Sequence, residues 1–358
     1  LTFWSTGIRD EGVTLAIRSW ILGTFVLYII SSLLADNPKA LKVGLITIGA
    51  FTLIAFLKLL YQKYRWFDVA ETEWLMKYSW YTHILSTGVR YFSIFSDAGN
   101  FGTHMGLITI VYSIVGIHTR NRWLSLFYIS VAVMGAIGVL MSGTRGAIVV
   151  PFGGLILYCF ICKNMKVMII SILTGAIMFS FFAYTDIGDQ NSIIRRMRTA
   201  FRPSDDASYN VRTENRKLIA DYLEHHPWGT GLENGVPRTV RTPEGELIRE
   251  DFIPPDSYYV KLWMQTGIFG LILYITIYTI VLIRCCYIIM FRIRNRVLLH
   301  TLAALLCGVF GVWLNGYVGE GMGQPPTNFV IVASLAFVLN GPYIDKQITQ
   351  QKLIKIKQ

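Results

Sequence analysis

The sequence predicts an all-α, polytopic membrane protein of about ten transmembrane helices, with one large extracytoplasmic loop that contains short helices. Three observations predict it. Of 358 residues, 53% are hydrophobic and 15% charged, whereas a soluble domain carries roughly a quarter charged residues. The mean hydropathy is +0.46. Apolar runs near the length of about 20 residues needed to cross a bilayer recur along the chain, and one long hydrophilic stretch, Asp186 to Asp256, interrupts them.

Taken in order, the apolar runs place helices at 18–36, 41–60, 101–118, 123–141, 146–162, 166–184, 257–283, 298–316 and 327–343. A tenth run, 73–89, is shorter and more polar and reads as a span packed inside the bundle. The chain thus divides into an N-terminal membrane bundle (1–184), an extracytoplasmic loop (185–256), C-terminal membrane helices (257–344) and a basic tail (345–358). The first residue is Leu1 rather than Met, so the sequence reads as a fragment that can lack earlier spans. Arg9, Asp10 and Glu11 interrupt any signal-peptide pattern at the start.

The net charge is +11. Its basic residues fall mostly in short loops between apolar runs, as the positive-inside rule requires, so the charge does not point to nucleic acid. Walking ten spans puts Lys63/Arg65, Arg120/Arg122, Lys163/Lys166, Arg284/Arg292/Arg294/Arg296 and Lys352/Lys355/Lys357 on the cytoplasmic side. The alternate loops, 37–40, 90–100, 142–145, 185–256 and 317–326, then face outward. The polar residues that are costly near hydrocarbon therefore gather on one side. Cys159, Cys162, Cys285, Cys286 and Cys307 all lie outside the polar stretch, which excludes a disulfide framework or zinc site there.

Each candidate functional residue has two readings. Arg145, between two apolar runs, either snorkels to lipid headgroups or stands at the mouth of the bundle to pair with a substrate phosphate, with Gly143 and Gly146 permitting close approach. Arg90, with Asp97 and Asn100, forms either a local ion pair and cap or part of a binding site. Arg195, Arg196 and Arg198 form a basic face on either anionic lipid or a ligand. Arg212 and Arg216, four apart, share one helix face; their mutual repulsion is relieved by solvent or by an anionic partner. His225, His226, Gly229 and Gly231 read as the end of a helix over 210–225. Asp256 is either the cap of the next helix or a general base that accepts a hydroxyl proton. Tyr258 and Tyr259 either stack on sugars or form part of an interfacial aromatic belt. Glu320 belongs to the outward 317–326 turn.

The order of these pieces resembles the O-antigen ligase and O-antigen polymerase superfamily of bacterial surface-polysaccharide enzymes. The resemblance covers roughly residues 85–285. It is carried by Arg90/Asp97/Asn100, Ser142-Gly143-Thr144-Arg145-Gly146, the arginine-rich loop, "HPWGTGLENG" from His226, and "DSYYVKLWMQTGIFGLILY" from Asp256. It implies a GT-C-like, multi-pass glycosyltransferase of the bacterial inner membrane, without metal or other cofactor, acting on the periplasmic face, with 185–256 as the catalytic loop. The donor would be an undecaprenyl-pyrophosphate-linked glycan. The acceptor would be a further glycan for a polymerase or lipid A-core for a ligase, and a polymerase would have a chain-length regulator protein as partner. On this reading Asp256, Arg212 and Arg145 are catalytic. Arg90, Asn100, Arg195, Arg196, Arg198, Arg216, Tyr258 and Glu320 bind substrate. Ligases usually begin the last motif with His-Asn, with the histidine as base; Asp256-Ser257 here favours a polymerase-type member. A transporter of lipid or polysaccharide is the alternative class, but it calls for broken, charged segments at mid-membrane, and here the charges gather at one face.

Overall fold

The structure, a computed structural model, describes residues 17–35, 37–85, 88–162, 165–190, 192–198, 207–232, 235–241 and 247–357; Arg9, Asp10, Glu11, Lys163 and Arg202 lie outside them. A π-helical segment Ile17–Val26 leads into α1 (Leu27–Leu34). Then follow α2 (Pro38–Arg65), the short α3 (Val69–Trp74) and α4 (Trp80–His83), α5 (Ala98–His118), α6 (Arg122–Met141), α7 (Val149–Cys162) and α8 (Met165–Tyr184). The polar stretch holds α9 (Ser192–Arg198) and α10 (Ala207–Glu224); α11 (Tyr258–Arg292), α12 (Arg296–Asn315), α13 (Thr327–Leu339) and α14 (Gly341–Lys357) complete the chain. Two small antiparallel hairpins, β1–β2 (Ile84–Leu85, Gly88–Val89) and β3–β4 (Pro237–Arg241, Leu247–Phe252), depart from the all-α expectation. The second runs through Thr239-Val240 and Ile248, residue types that favour strands.

Among the described residues six helices are long and apolar enough to cross a membrane: Pro38–Arg65, Ala98–His118, Arg122–Met141, Arg145–Cys162, Tyr258–Arg292 and Arg296–Asn315. A seventh exists if α13 and the start of α14, bent by 58°, form one broken span. Apart from the two small hairpins, the all-α polytopic membrane character expected from the sequence holds, and the described residues do not reach ten spans. The expected 18–36 span contains the apolar helix Ile21–Leu34, which at 1.5 Å per residue covers roughly 20 Å of a core about 30 Å thick. On the expected 166–184 run, α8 has its described apolar stretch at Gly175–Tyr184. The 73–89 run is no span at all. Asp68 and Glu71 form a capping box that starts α3. The chain then folds into short turns whose Phe67, Leu75 and Phe92 pack with Trp74 and Trp80 as an aromatic layer.

Losing that span also corrects the orientation upstream. Gln62, near the end of α2, donates to the carbonyl of Ser93 at 3.0 Å, and Lys58 pairs with Asp68 at 2.8 Å. Lys63 and Arg65 therefore lie at the same end of the bundle as Arg90, not opposite it. The 37–40 junction lies at the other end, where Pro38 shares a cleft with Thr119, Arg120 and Asn295.

Burial ranks the helices. The apolar window of α5 is 78% buried and that of α12 is 61%, against 11% for α11. The first two form the centre, and α11 shows Ile272, Leu273, Ile280 and Ile283 on an outer apolar face. Close approach of α7 and α12 requires small residues: a Cβ on Gly154 would lie 2.7 Å from the carbonyl oxygen of Cys307. Asn315, buried at the end of α12, donates to the Thr103 hydroxyl at 2.9 Å and ties it to α5. This core fixes one end of the bundle, where the 66–97 layer, the 142–145 turn, the polar stretch and the 316–326 turn meet.

Candidate functional site

Arg90 follows hairpin β1–β2, and its backbone N–H donates to His83. Its guanidinium donates to the Thr82 carbonyl and to the Thr144 hydroxyl, each at 3.0 Å. Thr144 in turn donates to Ala98 at 2.8 Å, at the start of α5. Burial lowers the Arg90 pKa to about 10; Asp97 opposes the shift, and the charges of Arg212 and Arg145 add to it. Arg90 therefore stays charged at neutral pH while three guanidinium groups share one neighbourhood. Beneath it, burial lowers His83 to about 4, helped by Arg90. Neutral His83 accepts from the Ala98 N–H at 3.3 Å through Nε2.

The turn after α6 supplies the second wall. Ser142 accepts from the Thr144 N–H through its hydroxyl at 3.1 Å. Gly143 has φ +58°, and a Cβ there would lie 2.9 Å from Nε of Arg196 and 3.1 Å from Cγ of Arg90. Glycine thus lets two arginines flank one peptide, and Arg196 donates to the Gly143 carbonyl at 2.6 Å. Arg145 opens the 3-10 turn Arg145–Ile148 that leads into α7.

The third wall is α10. Its Ile219 and Leu223 are buried with Val236, Ile253 and Met264, and Arg212, Asn215 and Arg216 lie one to three turns earlier along the same helix face. Arg216 donates to the Tyr317 carbonyl at 2.9 Å and lies over the Tyr317 ring, 4.8 Å from its centroid. Asn215 donates to a carboxylate oxygen of Asp256 at 3.2 Å. Asp256 sits at φ +55°, a conformation uncommon for a residue with a side chain. The cap of α11 is not Asp256 but Ser257, whose hydroxyl accepts from Val260.

The run His226 to Gly231 anchors α10. His225 and His226 do end it, as expected, and His226 stacks on Tyr222 with centroids 4.2 Å apart. Beyond that stop, the run docks on a break in α11. The Thr230 and Gly231 N–H groups donate to the carbonyls of Met264 and Gln265 at 2.8 and 3.0 Å. The break is Gly267, at φ +67°. Its Cα faces the Pro227 carbonyl so closely that a side chain has no room, and a Cβ on Gly229 would lie 2.6 Å from the Gly267 nitrogen.

Arg90, Arg145, Arg196, Arg212 and Asp256 are thus gathered at one end of the bundle. Other candidates have structural partners. Asn100 is 1% exposed; it donates to the Pro325 carbonyl at 2.8 Å and accepts from Thr327 at 3.0 Å, which latches α5 to the 316–326 turn. Arg198 is buried, pairs with Asp189 and donates to Ile187. Arg195 is exposed on α9. Tyr258 packs against Tyr259 and Tyr274, with centroids 6.2 and 5.8 Å away. Glu320 precedes the 3-10 turn Gly321–Gly323. Asn215, His83 and Tyr317 were not singled out from the sequence, and Thr144 entered only as part of the Ser142–Gly146 run. Asn215 had a legible signal, since it lies three residues after Arg212 on the same helix face.

Among the described residues no group of three His, Cys, Asp or Glu side chains is arranged to hold a metal ion. Residues 130–275 match the family model described as O-Antigen ligase. That segment contains Arg145, α9, α10 and Asp256; Arg90 and Glu320 lie outside it and reach the same end of the bundle through the fold. No curated protein and no solved structure matches the chain.

Proposed function

We propose, from the match of residues 130–275 to the family model described as O-Antigen ligase, that this chain is a membrane glycosyltransferase of the polymerase type. Its donor is a glycan on undecaprenyl pyrophosphate and its acceptor is a hydroxyl of a growing surface polysaccharide. The active end faces the periplasm of a bacterial inner membrane.

The observation that carries this reading is the gathering of Arg145 and Arg212 near Arg90, which is held by the neutral oxygens of Thr82 and Thr144. Like charges held together cost energy unless an anion joins them, and guanidinium forks suit phosphate oxygens. The acceptor oxygen attacks the anomeric carbon of the donor. The carbon–oxygen bond to the pyrophosphate breaks, and its electron pair leaves with the pyrophosphate. Arginines held in place before the reaction stabilise that developing charge. Asp256, steadied by Asn215, takes the acceptor proton. A carboxylate here, where ligases of the superfamily carry histidine, supports the polymerase reading.

The test uses the purified chain with an undecaprenyl-pyrophosphate-linked repeat unit, comparing wild type with Asp256→Ala on a gel that resolves glycan length. A ladder from wild type that disappears in Asp256→Ala is expected. A single transferred block that needs lipid A-core would make the protein a ligase. No product with either acceptor would overturn the transferase reading.

A further inference from the structure

A second feature lies at the opposite end of the bundle. A cleft of about 280 Å³ opens there between α2, α5, α6, α12 and α14. Leu41, Leu45, Leu124 and Leu298 line its walls, and Lys42 and Arg120 stand at its mouth. Both cations are exposed, and among the described residues neither has a hydrogen-bonded or ion-paired partner. The backbone donors beside the mouth are already used. The Asp345 carboxylate accepts from the N–H groups of Arg294 and Asn295 at 3.1 and 3.0 Å, and the Asn295 side chain accepts from Val297 at 3.0 Å. The Asp345 oxygens are thereby engaged by those backbone donors, and Lys42 and Arg120 are left to meet any anion that enters.

We infer that this cleft binds one anionic phospholipid, with an acyl chain between the leucines and the phosphate against Lys42 and Arg120. The shape and charge support that occupant. A cleft between membrane helices is filled from the bilayer, leucines make up much of its wall, and Lys42 and Arg120 bring positive charge to it. Basic pockets between spans take anionic headgroups for the same reason. A soluble anion would gain nothing from the leucine walls, and a neutral lipid would gain nothing from the cations. The site is separate from the arginine group described above and does not depend on the proposed chemistry.

The test titrates the purified full chain in detergent with dioctanoyl phosphatidylglycerol, dioctanoyl phosphatidylcholine and inorganic phosphate, with binding read by native mass spectrometry. The expected result is binding of phosphatidylglycerol at least about tenfold tighter than of phosphatidylcholine, with that preference lost in the double variant Lys42→Gln/Arg120→Gln. Val297→Trp, an exposed position on the cleft wall, should weaken lipid binding while leaving the fold intact by circular dichroism. Equal affinity for the two lipids, unchanged selectivity in the double variant, full binding by Val297→Trp, or inorganic phosphate competing as well as the lipid would each overturn the inference.

Discussion

Replacing Gly267 by alanine tests the link between the membrane helix and the polar loop. Gly267 has φ +67°, and the Pro227 carbonyl occupies the space a Cβ would need. At φ +67° and ψ −174°, a region essentially reserved for glycine, an L-residue costs about 1–3 kcal/mol. To relieve the clash the loop must move away, which breaks the bonds from Thr230 to Met264 and from Gly231 to Gln265. Each contributes about 0.5–1.5 kcal/mol net. The docked state should therefore lose about 2–6 kcal/mol in all, or roughly 30-fold to ten-thousand-fold in its population relative to the undocked loop. Native-state hydrogen exchange at the Thr230 and Gly231 amides reads this directly, because those protons are the ones buried in the docking bonds. The helical content by circular dichroism should stay near wild type, since α11 already breaks at this residue. Unchanged protection at both amides would refute the reasoning, for it would mean that the loop does not need the space Gly267 leaves open. Glycan transfer should fall with protection, because α10, with Arg212, Asn215 and Arg216, hangs from this dock.

Arg212→Ala should lower transfer by about 10²–10³-fold with an unchanged thermal melt; transfer at the wild-type rate would remove Arg212 from the site. Arg145→Lys should also lose most activity in the same gel assay, because a point charge does not reproduce a planar fork. Asn215→Ala removes a donor to the Asp256 carboxylate. Hydrogen bonds to charged groups are worth about 1.5–3 kcal/mol, so transfer should drop roughly 10- to 100-fold, with Asn215→Gln recovering less than the native residue. His83 gives a pH signature. Its folded pKa, about 4, lies below the ordinary 6.5, so the unfolded chain binds the extra proton between those values. Stability should therefore be complete above about pH 6.5 and fall by up to about 3 kcal/mol as pH approaches 4. A melt of His83→Gln that keeps the wild-type slope between pH 4 and 6.5 would assign the acid sensitivity elsewhere.

The long spans were legible because length and composition suffice for them: α2, α5, α6, α7, α11 and α12 all fall on the apolar runs. The 73–89 run misled because Trp74, Leu75, Trp80 and Ile84 count as apolar in any window. Their actual partners are Phe67, Val89 and Phe92 across a folded layer, and no window contains that pairing. The error then spread, since one false span reverses the side of everything before it. Single residues of the site were legible as types, and their partners were not. Arg90 finds Thr144 across 54 residues, and Arg196 finds Gly143 across 53; only the packing of α5, α6 and α9 creates those pairs. Gly267 looked like one more small residue in a membrane helix, and its role appears only when the Pro227 carbonyl lies against it.

The same packing explains why the arginines stand where repulsion should drive them apart. Arg90 and Arg216 are held by neutral oxygens, those of Thr82 and Thr144 for Arg90 and that of Tyr317 for Arg216. Neutral acceptors fix a guanidinium in position without cancelling its charge, whereas carboxylate partners would neutralise it. Arg198 shows the contrast, because its pairing with Asp189 satisfies the charge and leaves nothing for a ligand. A protein that only needed arginines at a membrane surface would gain by pairing them as Arg198 is paired. Holding Arg90 and Arg216 by carbonyls and a hydroxyl instead keeps their positive charge uncancelled until an anion arrives. It also predicts which arginines matter to substrate: those tied by neutral oxygens, and Arg212 and Arg145 beside them, rather than the exposed Arg195 or the neutralised Arg198.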